Sequence, residues 1–599
     1  MAVENLITEH IDIWTSAVKT KSTSGRGSSK KLELYGIKKL RELILELAIR
    51  GKLVPQDPSD EPASVLLERI AQERAQLIKD KKIKRSKKLP PVAEEDLKDD
   101  LPLGWQVSRL GEFVSIIRGI TFPASAKHNE PESNLIACLR TANVQTQLDW
   151  DDLIYVERSY VKREEQMLAV GDIVMSMANS RELVGKVSYT YFLPKNLDVS
   201  FGGFLSVIRP YQLDSAFLMM VLRSPSVRDE LVGSSSQTTN IANISLEKLN
   251  PLVVSIPPLK EQQRIVAKVD ELMALCDQLE QQTEDSIEAH QVLVTTLLDT
   301  LTNSADADEL MQNWARISEH FDTLFTTEES IDQLKQTILQ LAVMGKLVPQ
   351  DPSDEPAAEL LKRIAEEKAQ LVKEKKIKKE KALPPIAEDE KPFELPNGWE
   401  WCRVGSISNL KGGFAFKSKD FVTNSIYQVI RMGNIRPDNL RLSESPAYIP
   451  QKIAEEAKDY KLVSGDILLT MTGTKGKRDY LYSLLINEKD IVSNQLFLNQ
   501  RLCNIQPIFV APSFVNMVIK ADIVLDAIFT KSTGTANQAN IGMDAIKNWV
   551  LPVAPLAEQH RINDMVNELM DVCDHIKTRL VDLQATQLKL TDAIVEKAV

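Results

Sequence analysis

Gly51 to Pro62 reads GKLVPQDPSDEP, and Gly345 to Pro356 reads the same string 294 positions later. Weaker similarity extends from each copy. Ile70-Ala71 matches Ile364-Ala365, Leu89-Pro90-Pro91 matches Leu383-Pro384-Pro385, and Gly104-Trp105 matches Gly398-Trp399. A second echo joins PLKEQQRI at Pro258–Ile265 to PLAEQHRI at Pro555–Ile562. Whatever this chain folds into must build one frame twice, because a long self-match is the mark of a repeated structural unit. Between the matching frames the two halves diverge strongly. One scaffold carrying two different inserts suits a protein that must recognise two different things.

Composition narrows the class. The chain has 599 residues, 43% hydrophobic and 26% charged, as expected of a globular protein with several cores. No apolar run approaches the roughly 20 residues a membrane helix needs. The opening MAVENLITEHIDIW lacks the basic start and apolar core of a signal peptide. The five cysteines are scattered, with no CxxC, so neither a zinc site nor a disulfide framework is expected. A cytoplasmic setting follows as the expectation. The net charge of −11 argues against simple coating of nucleic acid. Any DNA contact must be local or shared with a more basic partner.

Residues 1–31 read as a flexible leader ending in KTKSTSGRGSSK. Residues 32–101 read as helical. Ile37, Leu40, Ile44 and Leu47 form a helix stripe closed by Gly51, repeated as Ile331, Leu334, Ile338 and Leu341 before Gly345. Segments 102–258 and 396–555 alternate β-rich runs with turn residues, which predicts two mixed α/β domains. Gly171-Asp172-Ile173 and Gly465-Asp466-Ile467 keep the 294 offset inside them. Segments 259–395 and 556–599 are helical. There Ile265, Val269, Leu272, Cys276, Leu279, Thr283, Ser286, His290, Leu293 and Leu297 step 4-3-4-3, the coiled-coil period. The same stepping runs from Ile562 through Leu583 and Leu590 to Ile594. The fold class predicted is mixed α/β (α+β), two inserted domains joined by long helices, with an internal two-fold repeat.

Enzyme chemistry is hard to find. Gly473 to Arg478 has glycines and lysines without the phosphate-cradling GxxxxGK[ST] spacing. No HExxH and no GxGxxG after a strand occurs, and Asn250-Pro251-Leu252-Val253 lacks the second proline and aromatic of an amino-methyltransferase motif. The inserts instead offer side chains that match base edges. In the first these are Arg118, Lys127, Arg140, Asn143, Asn179, Arg181, Gln237 and Asn240. In the second they are Lys411, Lys417, Arg431, Asn434, Thr472, Lys475, Lys477, Arg478, Lys531 and Gln538. Arg140/Asn143 and Arg431/Asn434 share an R-x-x-N frame, so a role in the fold competes with base reading. The lysine-rich runs at 79–88 and 373–381 suit phosphates or simply solvated helix ends.

On the paired inserts, the P-L-x-E-Q-x-R-I openings, the long helices after them and the G-D-I-[LV] segments, the chain resembles the specificity subunit of type I restriction-modification enzymes. The twice-used GKLVPQDPSDEP points to one subgroup of it. The resemblance covers all but roughly residues 1–31. It implies that each insert is a target recognition domain reading one half of a bipartite site in double-stranded DNA. It implies an antiparallel coiled coil that spaces the half-sites and docks two methyltransferase subunits. S-adenosylmethionine is then expected on the methyltransferase, and ATP and Mg on motor-nuclease subunits, two of which can join. This chain would itself catalyse nothing and carry no metal or cofactor. The competing readings are a catalytic insert, which lacks a visible constellation, and a coiled-coil protein-binding scaffold, which leaves the divergent inserts unexplained.

Overall fold

The computed structural model describes residues 3–21, 31–80, 83, 88–93, 101–181, 183–195, 197–233, 236–237, 242–305, 307–437, 439–535 and 538–599. The chain divides into two compact units. Unit one comprises Met1–Lys19, Glu33–Glu284 and Gln584–Val599, and unit two Thr20–Leu32 and Asp285–Leu583. No described helix is long and apolar enough to cross a membrane.

The repeated string is a clamp built on Gly51, Gln56 and Asp60. The helix Tyr35–Ile49 ends at Gly51, whose φ of +67° suits glycine. A Cβ there would meet Pro102 at 2.4 Å, so the turn also needs the missing side chain for close packing. Gln56 reaches back to the Gly51 carbonyl (2.8 Å) and across to Glu261 (3.3 Å). The Trp105 indole donates to the same carboxylate at 3.0 Å, and Arg264 pairs with Asp60 at 2.6 Å. Gln262 donates to the Pro257 carbonyl and accepts from the Asp214 amide. The E-Q-x-R motif thus binds the clamp, the insert and the long helix together. Unit two repeats this with Trp399 on Glu558 (3.0 Å), Gln559 on the Ala511 amide (3.0 Å) and Arg561 on Asp354 (2.6 Å).

Desolvation raises Glu261 and Glu558 above the ordinary glutamate range. The folded state then holds the proton more tightly than the unfolded chain. The contribution of each site is therefore most favourable at low pH, and it declines as pH climbs from the ordinary value through the raised one. Trp105→Phe keeps an aromatic six-membered ring but removes the pyrrole N–H donor that favours the ionised form. Its expected cost is about 1–3 kcal/mol, larger above that window than below it. Thermal denaturation at several pH values measures this, and Trp399→Phe should behave alike.

The segment read as a leader is not one over its first part. Val3–Glu9 and Ile11–Ser16 are helices, Trp14 is fully buried, and its indole donates to the Leu6 carbonyl. Gly36 packs against Trp14 so closely that a Cβ would lie 2.3 Å from its carbonyl oxygen. Unit two has the counterpart in Ala307–Glu319 and Phe321–Leu324. Ile7-Thr8-Glu9-His10 corresponds to Ile317-Ser318-Glu319-His320, and both histidine carbonyls accept from the amides three and four residues on. Residues 22–30 lie outside the described residues, as does most of the lysine run at 79–88.

The long helices span Leu259–Thr302 and Leu556–Ala598. In unit two the helix Glu328–Val343 runs antiparallel to the second of them, with Asp332 on Lys577 (2.6 Å) and Lys335 on Asp574 (2.5 Å). Unit one keeps the equivalent tie, Arg41 on Asp277 at 2.6 Å. The expected apolar seam holds at Ile265, Val269, Leu272 and Cys276, all buried, and then slips by one position. Val294, Leu298 and Leu301 are buried while Leu293 is 49% exposed. In the second helix Thr591 is buried, whereas Leu583 and Leu590 are exposed. A straight helix drifts about 20° per heptad from a strict 3.5 repeat. Each helix also changes packing partners where it leaves one unit for the other, which is where the stripe shifts.

Each insert is built on a four-stranded antiparallel sheet. The strand order is 114–118, 205–210, 173–176, 187–189 in unit one and 408–412, 502–507, 467–470, 483–485 in unit two. A parallel pair lies in each, 199–201 with 135–139 and 495–498 with 427–430. The G-D-I aspartate is buried in both copies. Asp172 accepts from the Ala169 amide and binds Arg209 through two bonds of 2.6 Å. Asp466 makes the same turn but takes Gln506 in place of the arginine.

Candidate nucleic-acid interface

The tight turn between the strands 495–498 and 502–507 is formed by Asn499-Gln500-Arg501. It is closed by the Leu502 amide donating to the Asn499 carbonyl (3.0 Å) and anchored by the Gln500 amide on the Phe414 carbonyl (3.0 Å). Gly413 lies directly beneath. A Cβ at Gly413 would sit 2.0 Å from the Asn499 carbonyl oxygen. The turn therefore rests on bare backbone and is held in one place, while Gln500 and Arg501 face solvent. Two hollows adjoin there and share both residues. One, of about 340 Å³, is lined also by Met471, Thr472, Gln538 and Asn540. The other, of about 670 Å³, includes Ser418, Arg431, Arg436 and Asn499.

Several residues singled out from the sequence serve the fold instead. Asn143 is fully buried; its carboxamide accepts from the Arg140 amide (2.7 Å) and donates to the carbonyls of Asp149 and Asp152. Arg140 pairs with Asp152 at 2.6 Å. Asn434 repeats this on the Arg431 amide and the carbonyls of Arg441 and Glu444, and Arg431 reaches the Ser445 carbonyl. Both R-x-x-N frames are turn locks, and a buried, saturated asparagine cannot read a base. Arg478 is held by Asp522 and Asp526, one turn apart on a helix, with its guanidinium over the Phe529 ring. In the sequence those carboxylates lie more than 40 positions away.

Of the others, Thr472 and Gln538 come together in the smaller hollow, where the Thr472 hydroxyl donates to Asn540 Oδ1 at 3.1 Å. Arg118, Lys127, Arg181, Lys417, Lys475, Lys477 and Lys531 are exposed, while Asn179 and Lys411 are half-buried. Asn179 turns its carboxamide to the Ser180 amide. Gln237 pairs through its backbone with Ala242. Asn240 lies outside the described residues. Gln500, Arg501 and Asn540 were not anticipated. The signal for the last was present: Ala242-Asn243-Ile244 and Ala539-Asn540-Ile541 repeat at an offset of 297.

The family described as "Type I restriction modification DNA specificity domain" matches residues 102–289 and again 396–584. The chain belongs to that family. It is 42% identical over its full length, and that of the relative, to the type I restriction enzyme EcoAI specificity subunit of Escherichia coli. Identity to the EcoEI specificity subunit of the same species is 40%, again over all of both chains. The crystal structure of the HsdS subunit from Thermoanaerobacter tengcongensis is similar over 83% of this chain and 97% of that one, at 15% identity and a TM-score of 0.38.

Proposed function

We propose that this chain is the DNA sequence-specificity subunit of a type I restriction-modification complex, each insert reading one half of a bipartite site. The observation that carries the reading is the doubled specificity domain, two copies on one repeated frame. Full-length similarity to two subunits named for that role supports it. The chain acts by recognition, not catalysis, and its partners are double-stranded DNA and the methyltransferase and restriction subunits of such a system. Two methyltransferase subunits, one for each repeat of the frame, fit the internal symmetry. S-adenosylmethionine belongs on those subunits, and ATP and Mg on the motor-nuclease subunits. The complex works in the cytoplasm, where the DNA is. Mapping methylated adenines in DNA from cells that express this chain with its methyltransferase tests the reading. The expected result is one split motif, two short specified sequences around an unspecified gap. A continuous motif, or methylation independent of this chain, would overturn it.

A further inference from the structure

The two units carry the same turn at the same address with different side chains. Gly202-Gly203-Phe204 follows the strand 199–201 as Asn499-Gln500-Arg501 follows 495–498. The correspondence is structural as well as sequential. The Leu205 amide donates to the Gly202 carbonyl, as Leu502 does to Asn499. The Phe204 carbonyl accepts from the Met177 amide, as that of Arg501 does from Met471. Gly119 lies under the first turn as Gly413 lies under the second, and a Cβ on it would sit 2.2 Å from the Gly202 carbonyl oxygen. The support is kept and the tip is changed.

We infer that this turn is the base-reading element of each unit: Arg501, flanked by Gln500, Thr472, Gln538 and Asn540, takes a guanine edge, and Phe204 takes a thymine methyl. The inference rests on the DNA-reading function proposed above and names where that reading occurs. Four features carry it. Arg501 is exposed, and no described side-chain hydrogen bond or ion pair engages its guanidinium, unlike Arg478 or Arg209. A planar two-donor fork is the group that matches O6 and N7 of guanine. Beside it stand a hydroxyl and carboxamides, the groups that bond adenine edges and phosphates. In unit one Ala178 replaces Thr472 and Gly203 replaces Gln500, while Asn243 keeps the place of Asn540, so the tip itself offers fewer polar groups, and Phe204 is 69% exposed. An exposed phenylalanine on a rigid turn has apolar contact to offer and no hydrogen bond. Rigid backbone beneath the tip gives the precision that base reading requires.

The test uses the full chain assembled with its methyltransferase and a set of duplexes carrying every single base-pair change in the wild-type site. A wild-type complex that methylates no bipartite site defeats the proposed function itself, whatever the variants do. Given wild-type methylation, Arg501→Ala should lose about 10-fold to 100-fold discrimination at one G·C pair in one half-site. Preferences at the other positions should stay. Phe204→Ala should relax one T·A position in the other half-site by a smaller factor. Arg501→Lys keeps the charge but loses the fork, so it should behave like the alanine variant at that base pair. It also decides the matter if Arg501→Ala does not assemble. Wild-type preference at every position in these variants overturns the inference. So does a uniform loss of methylation on all duplexes that lysine restores, since that marks a phosphate contact.

Discussion

Exchanging residues 106–256 for the first insert of another family member is expected to rewrite one half of the methylated motif and leave the other half unchanged. The structure favours a clean graft. The insert enters and leaves through one antiparallel pair, with Gln106 opposite Ile256, so both junctions lie side by side. The clamp that carries the insert, Trp105 with Glu261 and Asp60 with Arg264, is outside the exchanged segment. The frame also grips the insert through its backbone: Gln262 accepts from the Asp214 amide and Glu46 from the Ser226 amide (2.8 Å). Such bonds survive a change of side chains. Each altered base pair costs roughly 1–3 kcal/mol, so three or four changed positions should suppress methylation of the original half-site by about 10²-fold or more. Methylation mapping reads both halves at once. If both change in a folded, assembled hybrid, the inserts are not independent readers.

The frame was legible because it repeats word for word. Gly51, Gln56, Asp60, Trp105, Glu261 and Arg264 all recur in unit two and all take part in one clamp. The N-terminal helices were not legible, since only scattered identities such as Glu9 with Glu319 and His10 with His320 link them to their counterparts. Their order comes from burying Trp14 against a helix that begins about 20 residues later. The coiled-coil seam was half legible. A strict heptad describes one partner, and each long helix has a different one in each unit. At the candidate site, residue type misled. Arg140, Asn143, Arg431, Asn434 and Arg478 have the right chemistry, but the first four are occupied in locking their own local turns, and Arg478 is held by carboxylates more than 40 positions away. Arg501 escaped notice for the complementary reason. Its position is set by Gly413, almost 90 residues earlier, and its counterpart in the repeat is a phenylalanine.

The chain alone should bind its own site scarcely better than scrambled DNA, and should gain specificity of 10³-fold or more when the methyltransferase joins. Charge is the first reason. Residues 102–258 carry 14 Lys and Arg against 16 Asp and Glu, and residues 396–555 carry 18 against 14, for net charges of −2 and +4. Neutralising phosphates supplies most of the affinity of a DNA-binding protein, and nearly neutral readers supply little of it. A partner must close around the duplex and bring cationic surface. The second reason is apolar surface left uncovered at matching places on the two long helices. Leu275 and Leu293 are 41% and 49% exposed, and their counterparts Val572 and Leu590 are 48% and 45% exposed. Side chains of this kind repeated at equivalent positions suit two copies of one partner. Titrating labelled site and scrambled duplexes with the purified chain at moderate salt, then with methyltransferase added, gives both numbers. Discrimination of 10³-fold by the chain alone would end the idea of co-dependence. Replacing Leu293 and Leu590 with glutamate should weaken assembly, yet leave the half-site sequences of whatever complex still forms unchanged.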